Sequence, residues 1–359
     1  MKKIISAILL FTMIASLAGC SVEEGKTTNP SADPMAPVHE PAMSTEELRE
    51  TVLIVDGSEV SMAEVRYQAA SLMSAYEYYG DGYVDFTEEI EGKTAADFFI
   101  DEAVDTCKLF RAVERYAAEN GYSFTEEELK EIDEEISEYV EQVGGKDAFN
   151  EQLELAGMTP ELYEYLVKVP KLYYKIYGAL YGEGGEQEIT DDTVESYFLQ
   201  NYYTTRHIMK IALDEYGEYL SEEDTQKVYS DTEKLLERIR GGEDFAKLAE
   251  AESEDDELSG ETLTFTAVNL PEAYVETVQA LKPGEVSGII DIDGAYVIAK
   301  REELDTSYLE ENFDAVKEEY GLGLFRIVLE EVRDRLSVTE TAAFSKVDVE
   351  EIYDAFFGY

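Results

Sequence analysis

The sequence predicts an α+β chain in which a helical lobe, built from N-terminal helices and a C-terminal helix, holds an inserted α+β domain. Three observations predict this fold class. Apolar residues recur at helical spacing over 61–181, strand-like and helix-like segments alternate over 206–300, and a long amphipathic segment follows at 313–336. We expect that last helix to fold back on the N-terminal helices, because its apolar stripe would otherwise face water.

The lobe begins with a short strand and a turn. Thr51 to Val55 is an apolar run that ends at Asp56-Gly57, a dipeptide typical of turns. Ser61 and Glu64 have the spacing of a capping box, so a helix should open there. One face of this helix is apolar and carries Val65, Ala69, Leu72, Met73 and Tyr76.

Four more amphipathic helices follow. The second carries Phe98 and its apolar neighbours, and the third runs from Thr125 to the pair Gly144-Gly145, which is typical of a helix end. A fourth begins near Asp147. Thr159-Pro160 supplies an N-cap and a first-turn proline for the fifth. These helices should share one core.

A further helix at 191–202 leads into a region of about a hundred residues with mixed character. Its predicted elements are a strand at 206–213, a helix at 221–240, a short helix at 245–251, a strand at 262–265, a helix at 271–280 and a strand at 294–300. We therefore place a helical domain at 50–202, an α+β domain at 203–302 and a C-terminal helical segment at 303–359.

The composition excludes several functions. The chain has 359 residues, 81 acidic against 29 basic, for a formal charge of −52, yet 44% of its residues are hydrophobic. The hydrophobic content is enough for the chain to fold. Its acidic surface repels the phosphates of nucleic acid, so nucleic acid is disfavoured as a partner. It shows no glycine-rich phosphate loop, no Cys/His metal spacing, no EF-hand loop and no Ser/His/Asp set, so we expect no cofactor and no metal.

The N-terminus has the order of a secretory signal at 1–20, with two lysines, an apolar run and a small-residue end. Leu17-Ala18-Gly19-Cys20 resembles the lipobox of bacterial lipoproteins, which implies lipidation of Cys20 and attachment to the extracytoplasmic face of a membrane. The alternative is an ordinary secreted protein with a chance cysteine. Residues 21–49 should form a flexible tether. Cys107, the only other cysteine, should be a small buried side chain.

Several segments between Thr205 and Arg301 carry a family resemblance. They are Arg206-His207-Ile208, Gly242-Glu243-Asp244-Phe245-Ala246-Lys247-Leu248-Ala249, Ser253, and Ala280-Leu281-Lys282-Pro283-Gly284-Glu285-Val286-Ser287. This region resembles the parvulin-type peptidyl-prolyl isomerases (PpiC type), in the setting of PrsA-like and SurA-like exported foldases. The helical region before it resembles the chaperone domain of those foldases through Val55-Asp56-Gly57 and its helix order.

The resemblance implies a catalytic set. His207 matches the first-strand histidine, Asp255 the acidic or cysteine position two residues after a serine, and Leu270 and Tyr274 the apolar shelf that holds proline. Tyr296 occupies the place of the family's second histidine. The chemistry implied is rotation about the amide bond that precedes proline, with no covalent step.

Three functions stay open at this point. The first is a membrane-anchored folding helper whose isomerase activity is weak or lost, and the second is a competent isomerase in which Tyr296 stands in for the missing histidine. The third is a non-catalytic scaffold or client-binding envelope protein. The expected partners are unfolded or partly folded exported proteins, and the expected contact with the membrane is through the lipid anchor only.

Overall fold

A computed structural model describes residues 43–79, 83–214, 217, 219–255, 258, 260–267, 270–292 and 294–357. The predicted signal segment, Cys20, and most of the predicted tether lie outside the described residues. The chain divides into two compact units. Unit 1 combines Met1–Glu188 with Leu322–Tyr359, and unit 2 is Ile189–Gly321. Unit 2 is thus inserted in the sequence of unit 1, which confirms the predicted fold class.

The N-terminal part of unit 1 is mainly helical. Its strands are β1 (Thr51–Val55), β2 (Ser58–Ser61), β3 (Glu89–Ile90) and β4 (Lys93–Thr94). Its helices are α1 (Thr45–Leu48), α2 (Met62–Tyr79), α3 (Ala95–Asn120), α4 (Glu126–Gln142), α5 (Lys146–Leu155) and α6 (Pro160–Tyr181).

The ends of these helices follow from local chemistry. Ser61 Oγ accepts a hydrogen bond from the Glu64 N–H at 3.2 Å. Thr125 and Glu128 form a reciprocal capping box at the start of α4, and Thr159 caps α6 ahead of its first-turn proline. The predicted starts of α2, α4 and α6 are therefore confirmed.

The last residues of the predicted tether differ from the prediction. Ser44 caps α1 with a capping box, and Leu48 is 1% exposed. Burial of one leucine and a satisfied N-cap stabilise this turn, so residues 45–48 are helical within the predicted tether.

Unit 2 begins with α7 (Asp191–Asn201) and contains a four-stranded antiparallel sheet. Its strands are β5 (Tyr203–Ile211), β6 (Thr262–Phe265), β7 (Val286–Ile292) and β8 (Ala295–Arg301), in the order β6-β5-β8-β7. Its remaining helices are α8 (Glu222–Arg240), α9 (Phe245–Glu252) and α10 (Glu272–Ala280). Strand β7 was not predicted. Its pairing with β8 shifts register between Val286 and Ile289, which breaks the alternation that would have revealed it.

The boundaries of unit 2 are wider than the predicted 203–302. Helix α11 (Ser307–Arg333) begins in unit 2, and residues near its middle pack on α7. Tyr197 stacks on Tyr320 with ring centroids 4.5 Å apart, and the hydroxyls of Tyr197 and Tyr202 both donate to Glu319 at 2.8 Å. These contacts attach α7 to the inserted unit, although its sequence continues the helical pattern of the lobe.

The C-terminal part of the chain completes unit 1, as the amphipathic pattern predicts. After α11 come β9 (Val338–Glu340), a 3₁₀ turn (Ala342–Lys346) and α12 (Val349–Phe357). Val332 of α11 and Ile352 of α12 belong to the same core as α2 and α3. Strand β9 pairs with β1, which gives a small sheet of order β2-β1-β9.

A buried ion pair lies inside this lobe. The two terminal nitrogens of Arg111 donate to the two Glu64 carboxylate oxygens, at 3.0 and 2.8 Å. Arg111 also donates to the Glu59 carbonyl at 2.9 Å. The two side chains are 7% and 4% exposed. Cys107 is fully buried, as predicted, and burial raises the pKa of its thiol. It is a packing residue rather than a reactive thiol.

Candidate active site

The sheet of unit 2 has two different faces. His207 pairs with Ala299 and Met209 pairs with Val297 across β5 and β8, so these four side chains share one face. That face packs on α10 through a cluster that includes Tyr274 and Val297. The opposite face carries Ile208 and Ile298 and packs on α8 and α9. The face on which a strand residue lies decides which helix it contacts.

A chain of polar contacts lies on the α10 face. His207 Nε2 is 2.8 Å from Asp255 Oδ2, and His207 Nδ1 is 3.3 Å from the Tyr274 hydroxyl. That hydroxyl is 2.8 Å from Thr205 Oγ1. His207 is 7% exposed and the Asp255 side chain 14%. The structure therefore brings three of the predicted site residues together and adds Thr205.

The direction of each hydrogen bond follows from the chemistry of the groups. A carboxylate only accepts, so Nε2 of His207 carries the proton that is donated to Asp255. In the neutral ring Nδ1 is then an acceptor, and the Tyr274 hydroxyl donates to it. The Tyr274 oxygen in turn accepts from Thr205. The network thus fixes the ring orientation of His207 and, for the neutral imidazole, its tautomer.

Asp255 is held by the edge of β5. Strand β6 pairs only with residues 203–206 of β5, which leaves the following residues without a strand on that side. Ser253 and Glu254 take that place: the Met209 N–H donates to Ser253 Oγ at 3.2 Å, and the Glu254 N–H donates to the Met209 carbonyl at 2.9 Å. Asp255 Oδ1 also accepts from the Leu258 N–H at 3.1 Å. Its carboxylate is therefore fixed at both oxygens.

Tyr274 and Leu270 supply the apolar part of the site. The Tyr274 ring meets His207 edge-on, with centroids 5.9 Å apart, and it also contacts Phe265 at 5.7 Å. Burial raises the pKa of Tyr274 to about 12, and the charge of Asp255 acts in the same direction. Leu270 is partly buried against the same cluster. These side chains form an apolar cluster beside the imidazole, in which Tyr274 and Phe265 are buried and Leu270 is partly exposed.

Tyr296 does not join this site. It pairs with Lys210 on β5 and with Asp291 on β7, so it lies on the face opposite to His207. Its ring meets Tyr229 of α8, with centroids 5.1 Å apart and an interplanar angle of 80°. The implied role of Tyr296 as a substitute for the second histidine is thus not supported, because strand register places its side chain on the other side of the sheet.

Thr205 was missed in the sequence. It lies two residues before His207 on the same strand, so the period of two places both side chains on one face. The alternation of side chains along the predicted strand could therefore have identified Thr205 as a neighbour of His207.

The arrangement suits non-covalent chemistry. No group of three or more His, Cys, Asp or Glu side chains that could hold a metal occurs in the described part of the chain. The site combines a fixed imidazole, a carboxylate, two hydroxyls and an apolar wall. Such a surface can bind a small apolar ring and place polar groups around an adjacent amide.

Comparison with known proteins identifies this region. Residues 207–303 match the family model of the PPIC-type PPIase domain, also called rotamase. The match begins at His207 and includes Asp255, Leu270 and Tyr274. The chain thus contains a parvulin-type domain, as the resemblance implied. No curated protein matches the chain.

Several solved structures have low sequence identity to this chain. A peptidyl-prolyl isomerase (PrsA) from Bacillus cereus is 16% identical, with a TM-score of 0.35, and the overlap covers 87% of this chain and 98% of that one. The NmPin parvulin of Nitrosopumilus maritimus is 25% identical, with a TM-score of 0.22, over 29% of this chain and 97% of that one. A SurA-like chaperone structure from Campylobacter jejuni is 14% identical, with a TM-score of 0.26, over 81% and 99%.

Proposed function

We propose that this protein is an exported folding factor that isomerises peptide bonds before proline at the His207 site and binds unfolded clients with its helical lobe. The observation that carries the proposal is the polar chain of Thr205, Tyr274, His207 and Asp255 inside the region that matches the isomerase family. The clients are unfolded or partly folded exported proteins.

The reaction sets clear demands on the site. Rotation about the amide must cross a barrier of about 18–20 kcal/mol, because resonance is lost in the twisted form. A catalyst must bind the twisted amide better than the planar one. The apolar wall of Leu270, Phe265 and Tyr274 takes the proline ring and excludes water. The His207 network then presents fixed polar groups to an amide whose charge distribution changes as it turns.

The helical lobe offers a place for an apolar client segment. Helices α2, α4 and α6 line a cavity of about 240 Å³ in unit 1. Tyr139 and Tyr163 stack beside it, with ring centroids 5.7 Å apart, and Tyr67, Met158 and Leu166 complete its apolar wall. Aromatic side chains with few rotatable bonds bind varied apolar partners at low entropic cost.

The site of action is part of the proposal. The lipobox-like sequence at Cys20 would tether the chain to the extracytoplasmic face of the membrane through acyl chains. Among the described residues, no helix has the length and apolarity needed to cross a bilayer. Metabolic labelling with palmitate tests this: the parent chain should take up label and remain with the membrane, whereas Cys20→Ser should do neither. Labelling of Cys20→Ser to the parent level would refute it.

A second candidate function is client binding without catalysis. It is favoured by position 296. The family has its second histidine there, whereas this chain has a tyrosine whose side chain faces away from the site. In this reading the parvulin-type domain would be retained as a binding surface, and the isomerase activity would be weak or lost.

A protease-free isomerisation assay on the full chain separates the two. We expect measurable catalysis that falls with His207→Ala and with Tyr274→Phe. The matched control is Tyr203→Phe, which removes a hydroxyl from the same sheet face outside the network. Catalysis absent from the parent chain would leave binding without catalysis as the function. Catalysis that is equal in parent and His207→Ala would instead refute the assignment of the site to His207.

A further inference from the structure

A second cleft lies in unit 2, on the sheet face opposite to His207. It is formed by the first turns of α8 and by the ends of β7 and β8, and it measures about 320 Å³. It is lined by Glu222, Thr225, Gln226, Tyr229, Asp291 and Tyr296. None of these residues takes part in the His207 network, so the cleft is separate from the candidate active site.

Two aromatic rings form adjoining walls of this cleft. Tyr229 comes from the helix and Tyr296 from the sheet, and their rings stand nearly perpendicular, at 80°, with centroids 5.1 Å apart. The two ring planes of an edge-to-face pair are nearly perpendicular, so a ring face can border the cleft. A cation in the cleft is then attracted by the quadrupole of that ring. Both side chains are partly exposed, so a ligand can reach them.

The cleft is also acidic. Asp291 lies directly across the β7–β8 pair from Tyr296, and Glu222 is in the first turn of α8. In the part of the chain that the structure describes, neither carboxylate bonds a lysine or arginine. Lys210, which opposes Tyr296 on β5, directs its ammonium to the Glu252 carbonyl at 3.0 Å and to Glu254 Oε1 at 2.5 Å.

We infer that this cleft binds the ammonium or guanidinium group of a lysine or arginine side chain in a client polypeptide. Perpendicular aromatic walls with carboxylates beside them match a planar or tetrahedral organic cation. A metal ion fits less well, because only two carboxylates line the space. Client binding here rests on the proposed function, but it does not require isomerase activity, since the two sites lie on opposite faces of the sheet.

NMR titration of the full chain tests the inference. The probes are two blocked pentapeptides with four glycines and a central residue, arginine in one and its neutral isostere citrulline in the other. We expect saturable shifts of amides in 222–229 and 291–297 with the arginine peptide alone. Asp291→Asn and Tyr296→Leu should each weaken binding about two- to fivefold, the size of an exposed cation–π or ion-pair contact.

The control addresses the overall charge of the protein, −52, which attracts any cation. Glu223→Gln makes the same change of charge next to Glu222 on α8 but outside the cleft, and it should leave the affinity unchanged. Equal binding of the citrulline peptide, or equal losses in Glu223→Gln and Asp291→Asn, would overturn the inference. The readout is binding, so an inactive isomerase site would not affect it.

Discussion

Replacing Asp255 by asparagine should reverse the tautomer of His207. Asp255 uses one oxygen for the Leu258 N–H, at 3.1 Å, and the other for His207 Nε2, at 2.8 Å. Asparagine has only one oxygen. If that oxygen keeps the Leu258 bond, the amide nitrogen faces Nε2 as a donor, so the imidazole proton moves to Nδ1 and is donated to the Tyr274 oxygen.

The size of the effect follows from the bond that changes. A hydrogen bond to a charged group contributes about 1.5–3 kcal/mol net, and one between neutral groups about 0.5–1.5 kcal/mol. Loss of the charge therefore removes about 1–1.5 kcal/mol. If the network acts fully in the transition state, kcat/KM for a proline peptide should fall about five- to twelvefold.

The composition of the chain makes the assay direct. It contains only two histidines, His39 and His207, so ¹⁵N-histidine labelling of a His39→Gln chain reports on His207 alone. Long-range ¹H–¹⁵N spectra show which ring nitrogen carries the proton. The parent should be protonated at Nε2, and the Asp255→Asn variant at Nδ1.

A matched control makes the same change of charge but leaves the contact between Asp255 and His207 intact. Glu254→Gln removes a carboxylate one residue away, whose bonds are to Lys210 Nζ at 2.5 Å and to the Ile211 N–H at 2.8 Å. It should change neither the tautomer nor kcat/KM. A proton that stays on Nε2 in Asp255→Asn, or an unchanged kcat/KM with the tautomer reversed, would refute the assigned network or its role.

Three further predictions concern other residues. The pKa of Tyr274 is raised to about 12 in the folded protein, so its contribution to stability is complete below pH 10 and is lost as the pH rises from about 10 to 12. Tyr274→Phe should flatten that part of the alkaline unfolding curve of unit 2, and an unchanged slope would contradict it. Glu64→Gln should destabilise unit 1 by about 3–5 kcal/mol in urea unfolding, because the buried Arg111 keeps only the half-exposed Glu114 carboxylate, 3.8 Å from its Nε, as a counter-charge. A Glu64→Gln/Arg111→Met double variant should recover much of the loss. Tyr296→His should not raise kcat/KM, because the new imidazole lies on the sheet face away from the site; a clear gain would show that the residue reaches it.

Local signals in the sequence were enough to predict most elements. Thr125 with Glu128 and Thr159 with Pro160 mark the starts of α4 and α6 because capping involves residues three positions apart. Strand β6 was predicted with its observed bounds, Thr262–Phe265. The pairing of β1 with β9 was not predictable, since Val338–Glu340 is exposed along its length and shows no alternation.

The candidate site divides in the same way. The family resemblance selected His207, Asp255, Leu270 and Tyr274, and the structure places the first two and Tyr274 in one hydrogen-bonded chain. The sequence by itself determined which groups are available and the helical or extended state of the segments that carry them. Only the tertiary structure decided that Tyr296 faces α8 instead of the site, because a side chain's face depends on the register between strands distant in sequence, and a shift of one residue reverses it.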